Sequence, residues 1–337
     1  ASGLSIAGSL TDYAIKSDEG NIGIEDSSVS NSLGGAVYAA YGNIRITDSL
    51  ISAAVADYMV KSQAGNVEIS YSTLNNSAGG GVYAANQADI AANSLISASS
   101  MSFAAVYVGN GYLDINKSEV YNSGTALYLA EGWVQITNES VIGTENNQWA
   151  IRAEAGNVYA ENSSVQSTGG GIYVGGNYLS LQESSIISRD TDNPAIMMPN
   201  SDLVVLKAAI ESTCLTGAIQ IKANLVFISE TEVSGSPILM LIDSPYIGID
   251  NINIRSGYTP IAIMSEEQSI KTDRRDFDIR VILEKIGDYY FREWRDDEVS
   301  LTENMAISAA DLPGSPNLDP NYELKYSFTQ DPDMEHG

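Results

Sequence analysis

The chain's most pointed chemistry lies in a file of evenly spaced residues. Lys16, Tyr38, Lys61, Tyr83, Tyr107, Tyr128, Arg152 and Tyr173 each follow an apolar residue in a short run, and most precede one, as in AVYA from Ala36, GVYA from Gly81, AVYV from Ala105 and GIYV from Gly171. If those runs stack as neighbouring strands, the side chains stand about 4.8 Å apart in a row. Phenol rings offer flat faces to the C–H faces of sugars, and cations pair with uronate or sulfate groups. The expected ligand is therefore a polysaccharide or cell-surface glycan lying along the row. The competing expectation is structural, because tyrosine suits strands and stacks for sheet stability, or is covered by another part of the chain.

Two further sets of residues could do chemistry. Glu68, Asp89 and Asp114, beside Arg45, recur at the same point of successive repeats. Paired carboxylates about 5 to 9.5 Å apart can serve as acid and base in glycoside chemistry. The repeats are short and even, however, so no loop is long enough to wall a cleft and exclude water. No catalytic residue is therefore assigned, and a polysaccharide lyase or glycoside hydrolase stands as the alternative. The third set is acidic: Asp190, Asp192 and Asn193 in one loop, and Asp12, Asp18, Glu19, Glu25 and Asp26 near the start. Calcium needs six to eight oxygens, and neither an EF-hand nor a glycine-aspartate nonapeptide repeat is present. The expectation is no cofactor and no metal site, with calcium at Asp190, Asp192 and Asn193 as the alternative.

The elements that must position these residues come from a repeat. GNIRITDSLI from Gly42 returns as GNIGIEDSSV from Gly20, GNVEISYSTL from Gly65 and GNVYAENSSV from Gly156, with looser copies GYLDINKSEV from Gly111 and GWVQITNESV from Gly132. The last inward apolar residue of each copy gives anchors at Ile24, Ile46, Ile69, Ile90, Ile115, Ile136, Ala160, Leu181, Val205, Ile228 and Ile249, spaced 21 to 25 residues apart. A period this steady marks a solenoid. Within a copy the apolar period is two, which means strands and not helices.

Each repeat is expected to hold three short strands: an opening strand, a middle strand around the residue five after the anchor (Val29, Ile51, Leu74, Leu95, Val120, Val141, Val165, Ile186), and a closing strand carrying the file. Such a unit cannot bury a face alone, so identical turns must stack with their strands parallel. Asp-Ser and Asn-Ser pairs at Asp26, Asp48, Asn93 and Asn162 supply the bends. On these residues the chain resembles the right-handed parallel β-helix, or pectin-lyase-like, superfamily, as a non-catalytic member of the kind found on bacterial surfaces. The resemblance implies an all-β, single-stranded β-helix of about 12 coils over residues 1–267, with 268–337 as a C-terminal cap. It says little about activity, since that fold hosts lyases, hydrolases, adhesins and spacers alike. The Asn-Thr-Asp and Gly-His-Gly motifs of polygalacturonases are absent.

Composition narrows the partners. A formal net charge of −26 over 337 residues argues against nucleic acid, which needs a positive field. Only nine of the 17 lysines and arginines lie before residue 268, and three of those nine are in the file. Cys214 is alone, so no disulfide forms within the chain, and its apolar setting reads as a buried small residue. No apolar run reaches the about 18 residues needed to span a membrane. The expectation is a secreted or surface-displayed monomer that binds or adheres. In the tail, FDIRVIL from Phe277 and YELKYSF from Tyr322 read as strands, and Tyr289, Tyr290, Phe291 and Trp294 as an aromatic cluster.

Overall fold

The computed structural model describes residues 2–146, 148–215, 217–223 and 225–235, and beyond them the strands at 238–243, 246–250, 252–256, 259–263, 276–277, 279–285, 292–294, 306–307 and 322–328. The described residues form strands, turns and bends with no helix, in a parallel β-solenoid of about ten turns, roughly the number expected. No helix among them is long and apolar enough to cross a membrane. Contacts divide the chain into two units, residues 1–176 and 177–337.

In the first unit the alternation of the repeat becomes a wall with two faces. Ile22 and Ile24 are buried in the strand Ile22–Glu25 while Gly23 and Glu25 are exposed. Successive anchors meet as direct partners: Ile24 with Ile46, Ile46 with Ile69, Ile69 with Ile90, Ile90 with Ile115, Ile115 with Ile136 and Ile136 with Ala160. Stacked aliphatic side chains at less than 3 % exposure fill the interior from Ile24 to Ile136.

The middle strands correct two expectations. Leu74 pairs with Ile96, not Leu95, and Val120 pairs with Ile142, not Val141. The reason is the preceding bend. Most coils turn on one residue in the left-handed region, Asp26, Asp48, Tyr71, Lys117 or Asn162, at φ of 47° to 50°. The two exceptional coils turn on two, Ala92-Asn93 and Asn138-Glu139, at φ of 57° to 64°. One extra residue moves every following side chain to the other face, so the inward residue falls six after the anchor instead of five.

The expectation of three separate short strands also changes. In three coils the closing strand runs straight into the next opening strand, giving the 11-residue strands Val106–Asn116, Leu127–Thr137 and Ile151–Glu161. These three pair along their length and form the broadest continuous stretch of sheet in the unit.

Polar ladders hold the bends. Residues of several types take the left-handed position, but the following serine makes the bonds. The Ser49 hydroxyl donates to the Thr47 carbonyl at 2.7 Å and accepts the Ser27 N–H at 3.1 Å. The pattern continues through Ser72, Ser94, Ser118 and Ser140. Each serine is buried and satisfied, as an interior polar group must be.

A second ladder shows that the true period is two coils. Asn31 and Asn76 are buried, and the Asn76 amide donates to the carbonyls of Val55, Asp57 and Gly80 at 2.8 to 3.0 Å. The intervening coil has Ala53 at that place, and its loop carries an aromatic ring instead. Tyr13, Tyr58, Phe103 and Trp149 occupy that loop position at intervals of 45, 45 and 46 residues. The neighbouring coil answers with glycine. A Cβ on Gly35 would fall 2.1 Å from the Tyr13 ring, and one on Gly80 would fall 2.6 Å from the Tyr58 ring.

The second unit repeats the pattern with Leu181, Val205, Ile228 and Ile249 in register. Cys214 is fully buried, as its setting suggested. Near the end pairing turns antiparallel: Tyr322–Phe328 pairs with Ile252–Ser256 and with Ile279–Lys285, which in turn pairs with Arg292–Trp294. The two tail segments read as strands thus form strands, the first of them between 279 and 285. Tyr289, Tyr290 and Phe291 lie outside the described residues.

Candidate binding face

The closing strands bring the whole file together. Lys16 pairs with Tyr38, Tyr38 with Lys61, Lys61 with Tyr83, Tyr83 with Tyr107, Tyr107 with Tyr128, Tyr128 with Arg152, and Arg152 with Tyr173. Lys16 is exposed and the other seven are half-buried. The flanking residues of each closing strand point into the core, so alternation alone turns this row outward.

What the row presents differs from a set of free ring faces. Tyr83 and Tyr107 stack with centroids 5.0 Å apart and planes 5° from parallel, and Tyr107 and Tyr128 at 5.1 Å and 6°. The strand spacing itself sets this distance. The faces are therefore turned on one another, leaving edges and hydroxyls outward. The hydroxyls of Tyr83 and Tyr107 have no hydrogen-bond partner among the described residues. The Tyr38 hydroxyl donates to Gln63 Oε1 at 2.7 Å.

The cations are also occupied. Lys16 pairs with Asp12 at 3.4 Å, Lys61 with Asp57 at 3.0 Å and Arg152 with Glu154 at 2.6 Å. Each also lies over the next coil's ring, 5.5 to 5.7 Å from the centroids of Tyr38, Tyr83 and Tyr173. The loop aromatics support the file: Tyr58 contacts Tyr83 and Tyr107 at 5.5 and 6.1 Å, and Trp149 contacts Tyr173 at 5.6 Å. Burial pushes the Tyr13 and Tyr58 phenols well above the usual range, so they stay neutral. This second layer was present in the sequence as the 45-residue spacing, a longer period than the single repeat discloses.

The acids form a second file, on the opening strands. Arg45, Glu68, Asp89, Asp114, Gln135 and Tyr159 are successive register partners. Arg45 reaches Glu68 at 3.8 Å, and both side chains are well exposed. Burial, and secondarily the charge of Asp89, pushes the Asp114 carboxyl up to about 6. Burial and Glu68 push Asp89 in the same direction. Asp114 Oδ1 is sealed from solvent and has no hydrogen-bond partner among the described residues. Like charges on adjacent coils favour sharing a proton, which is the electrostatic form of an acid/base pair.

The Asp190 loop spends its carboxylate on itself. Asp190 is buried, and its two oxygens accept from the Asp192 N–H at 2.9 Å and the Asn193 amide at 2.6 Å. Among the described residues no group of three or more His, Cys, Asp or Glu side chains is arranged to hold a metal ion.

Two residues on this side lie outside the expected sites. Tyr112 and Trp133 are register partners, and Trp133 is 52 % exposed. Their signal is in the repeat itself. GNIRI and GNVEI carry asparagine after the opening glycine, while GYLDI and GWVQI carry an aromatic there. Compared with protein families, curated proteins and solved structures, the chain matches none of them.

Proposed function

We propose that the chain is a non-catalytic binding or adhesion module, secreted or displayed on a bacterial surface and acting as a monomer, that holds a polysaccharide along the file from Lys16 to Tyr173. One observation carries the reading: eight outward positions stand in unbroken register, and none is buried. Seven intervals of about 4.8 Å make a track of roughly 34 Å, long enough for several sugar residues in an extended chain. Because the ring faces are mutually stacked, the ligand meets ring edges and phenol hydroxyls. Because each cation already has a carboxylate partner, an anionic glycan has no special advantage. We assign Glu68, Asp89 and Asp114 no catalytic role, and residues 268–337 the role of a cap, for which the antiparallel pairing at Ile252–Ser256 is suited.

The stacking also favours a second reading, a structural spacer whose tyrosines serve the sheet alone. Replacing Tyr83, Tyr107 and Tyr128 together by Phe separates the two, since it keeps the stack and removes three hydroxyls. On a glycan array, with and without calcium, the binding module loses about tenfold or more in affinity, a change of about 1.4 kcal/mol. Unchanged binding removes the file as the site, and no glycan bound by the parent chain leaves the spacer.

A further inference from the structure

Where the repeat has asparagine after its opening glycine, the side chain stitches coils together. Asn21 Oδ1 accepts the Asn43 N–H at 2.9 Å, and Asn43 Oδ1 accepts the Asn66 N–H at 2.9 Å. Tyr112 and Trp133 interrupt that ladder on two successive coils, in the broad sheet made by the 11-residue strands. An aromatic ring at this place gives up the stitching bonds and exposes apolar surface. The broad, part-exposed indole is an amphipathic platform on which a ligand with an apolar face can rest.

The surroundings define the partner's chemistry. Unlike the tyrosine file, the Trp133 ring stacks on no other aromatic ring among the described residues and is 52 % exposed. Two residues further along the same outward side stand Asp114 and Gln135, themselves register partners. The Tyr112 hydroxyl donates to Gln135 Oε1, which fixes the amide and leaves its NH₂ to donate elsewhere. Asp114 Oδ1 lacks a donor. Rotation about the soft terminal torsion of the carboxyl would carry that oxygen outward to meet one. No lysine or arginine belongs to the group, and the chain is strongly acidic, so an anion is repelled.

We propose that Trp133, Tyr112, Asp114 and Gln135 form a subsite for an uncharged pyranose chain, with one sugar face on the Trp133 indole and ring hydroxyls bonded to the Asp114 carboxyl and the Gln135 amide. A planar platform beside a carboxyl and an amide matches what a sugar offers: an apolar C–H face edged by hydroxyls that donate and accept. The subsite is separate from the tyrosine file, and its success or failure leaves the test of the file standing.

The experiment titrates the full chain with neutral oligosaccharides of β-linked glucose, mannose and galactose, with a glucosamine oligosaccharide and a galacturonate oligosaccharide as charged controls. Tryptophan emission and calorimetry give the readouts. At least one neutral oligosaccharide should bind and perturb the emission, and Trp133→Ala should weaken it about tenfold or more, a change of about 1.4 kcal/mol. Trp133→Phe should retain most of the affinity. Equal urea midpoints for Trp133→Ala and parent exclude a folding defect. The proposal is overturned by binding to none of the neutral sugars, by preference for the amine-bearing or acidic control, or by unchanged affinity in Trp133→Ala.

Discussion

On the closing strands Tyr83, Tyr107 and Tyr128 turn their faces on one another and three cations rest against carboxylates, whereas on the opening strands of the same coils Trp133 stands unstacked and Asp114 keeps an oxygen without a donor. Both rows arise from one repeat and one strand spacing. They differ in what the neighbours above and below supply. A ring between like rings, or a lysine between an acid and a ring, is satisfied within the sheet. An acid above an acid, or an indole beside residues that do not stack on it, is not. In a parallel solenoid, then, the row that looks richest in the sequence meets a ligand with ring edges and hydroxyls, because its ring faces and cations already have partners.

The largest effect should come from stability. Tyr107→Ala removes two stacked pairs, each worth about 0.5–1.5 kcal/mol, and should cost about 2 kcal/mol. Trp133→Ala should stay within about 0.5 kcal/mol of the parent, as for a surface residue without such partners. Urea midpoints followed by circular dichroism decide the matter, and equal losses would erase the distinction between the rows.

The next effect is a pH dependence confined to the opening side. Asp114 holds its proton up to about 6 in the folded chain against the 3.8 of an unperturbed carboxyl, because of burial first and Asp89 second. The folded state binds the proton more tightly, so this contribution is greatest below about pH 4, falls as the pH rises towards 6, and is flat above that. Asp114→Asn should remove the decline and leave the chain more stable at pH 7 by on the order of 1 kcal/mol, solvent screening included. Identical pH profiles of Tm for parent and variant would contradict it.

The smallest effect sharpens the closing side. Lys61, paired with Asp57 and lying over Tyr83, should cost about 0.5 kcal/mol when replaced by Met, and the loss should fade in high salt. A salt-independent loss would mean that the methylene packing of Lys61 matters more than its charge.

Much of this architecture could be read from the residues. The ten anchors from Ile24 to Ile228 lie inward, Ile249 keeps their register, and the file from Lys16 to Tyr173 stands as spaced. The segment from Tyr322 is a strand. Leu95 and Val141 were misleading because Ala92-Asn93 and Asn138-Glu139 turn with one residue more than Asp26 or Asp48, and no single side chain announces a two-residue bend. Tyr112 and Trp133 were written in the repeat, but as departures from it, and a search for similarity passes over departures.

The sequence alone determined which side chains of the opening strands face inward, because an apolar period of two leaves only one face to bury and a slip of one residue would invert it. Only the tertiary structure decided what the outward side chains do. Ring on ring, lysine over ring and acid beside acid are relations between residues some 21 to 25 positions apart. They depend on neighbours that the stacking of coils brings within reach and that no local pattern records.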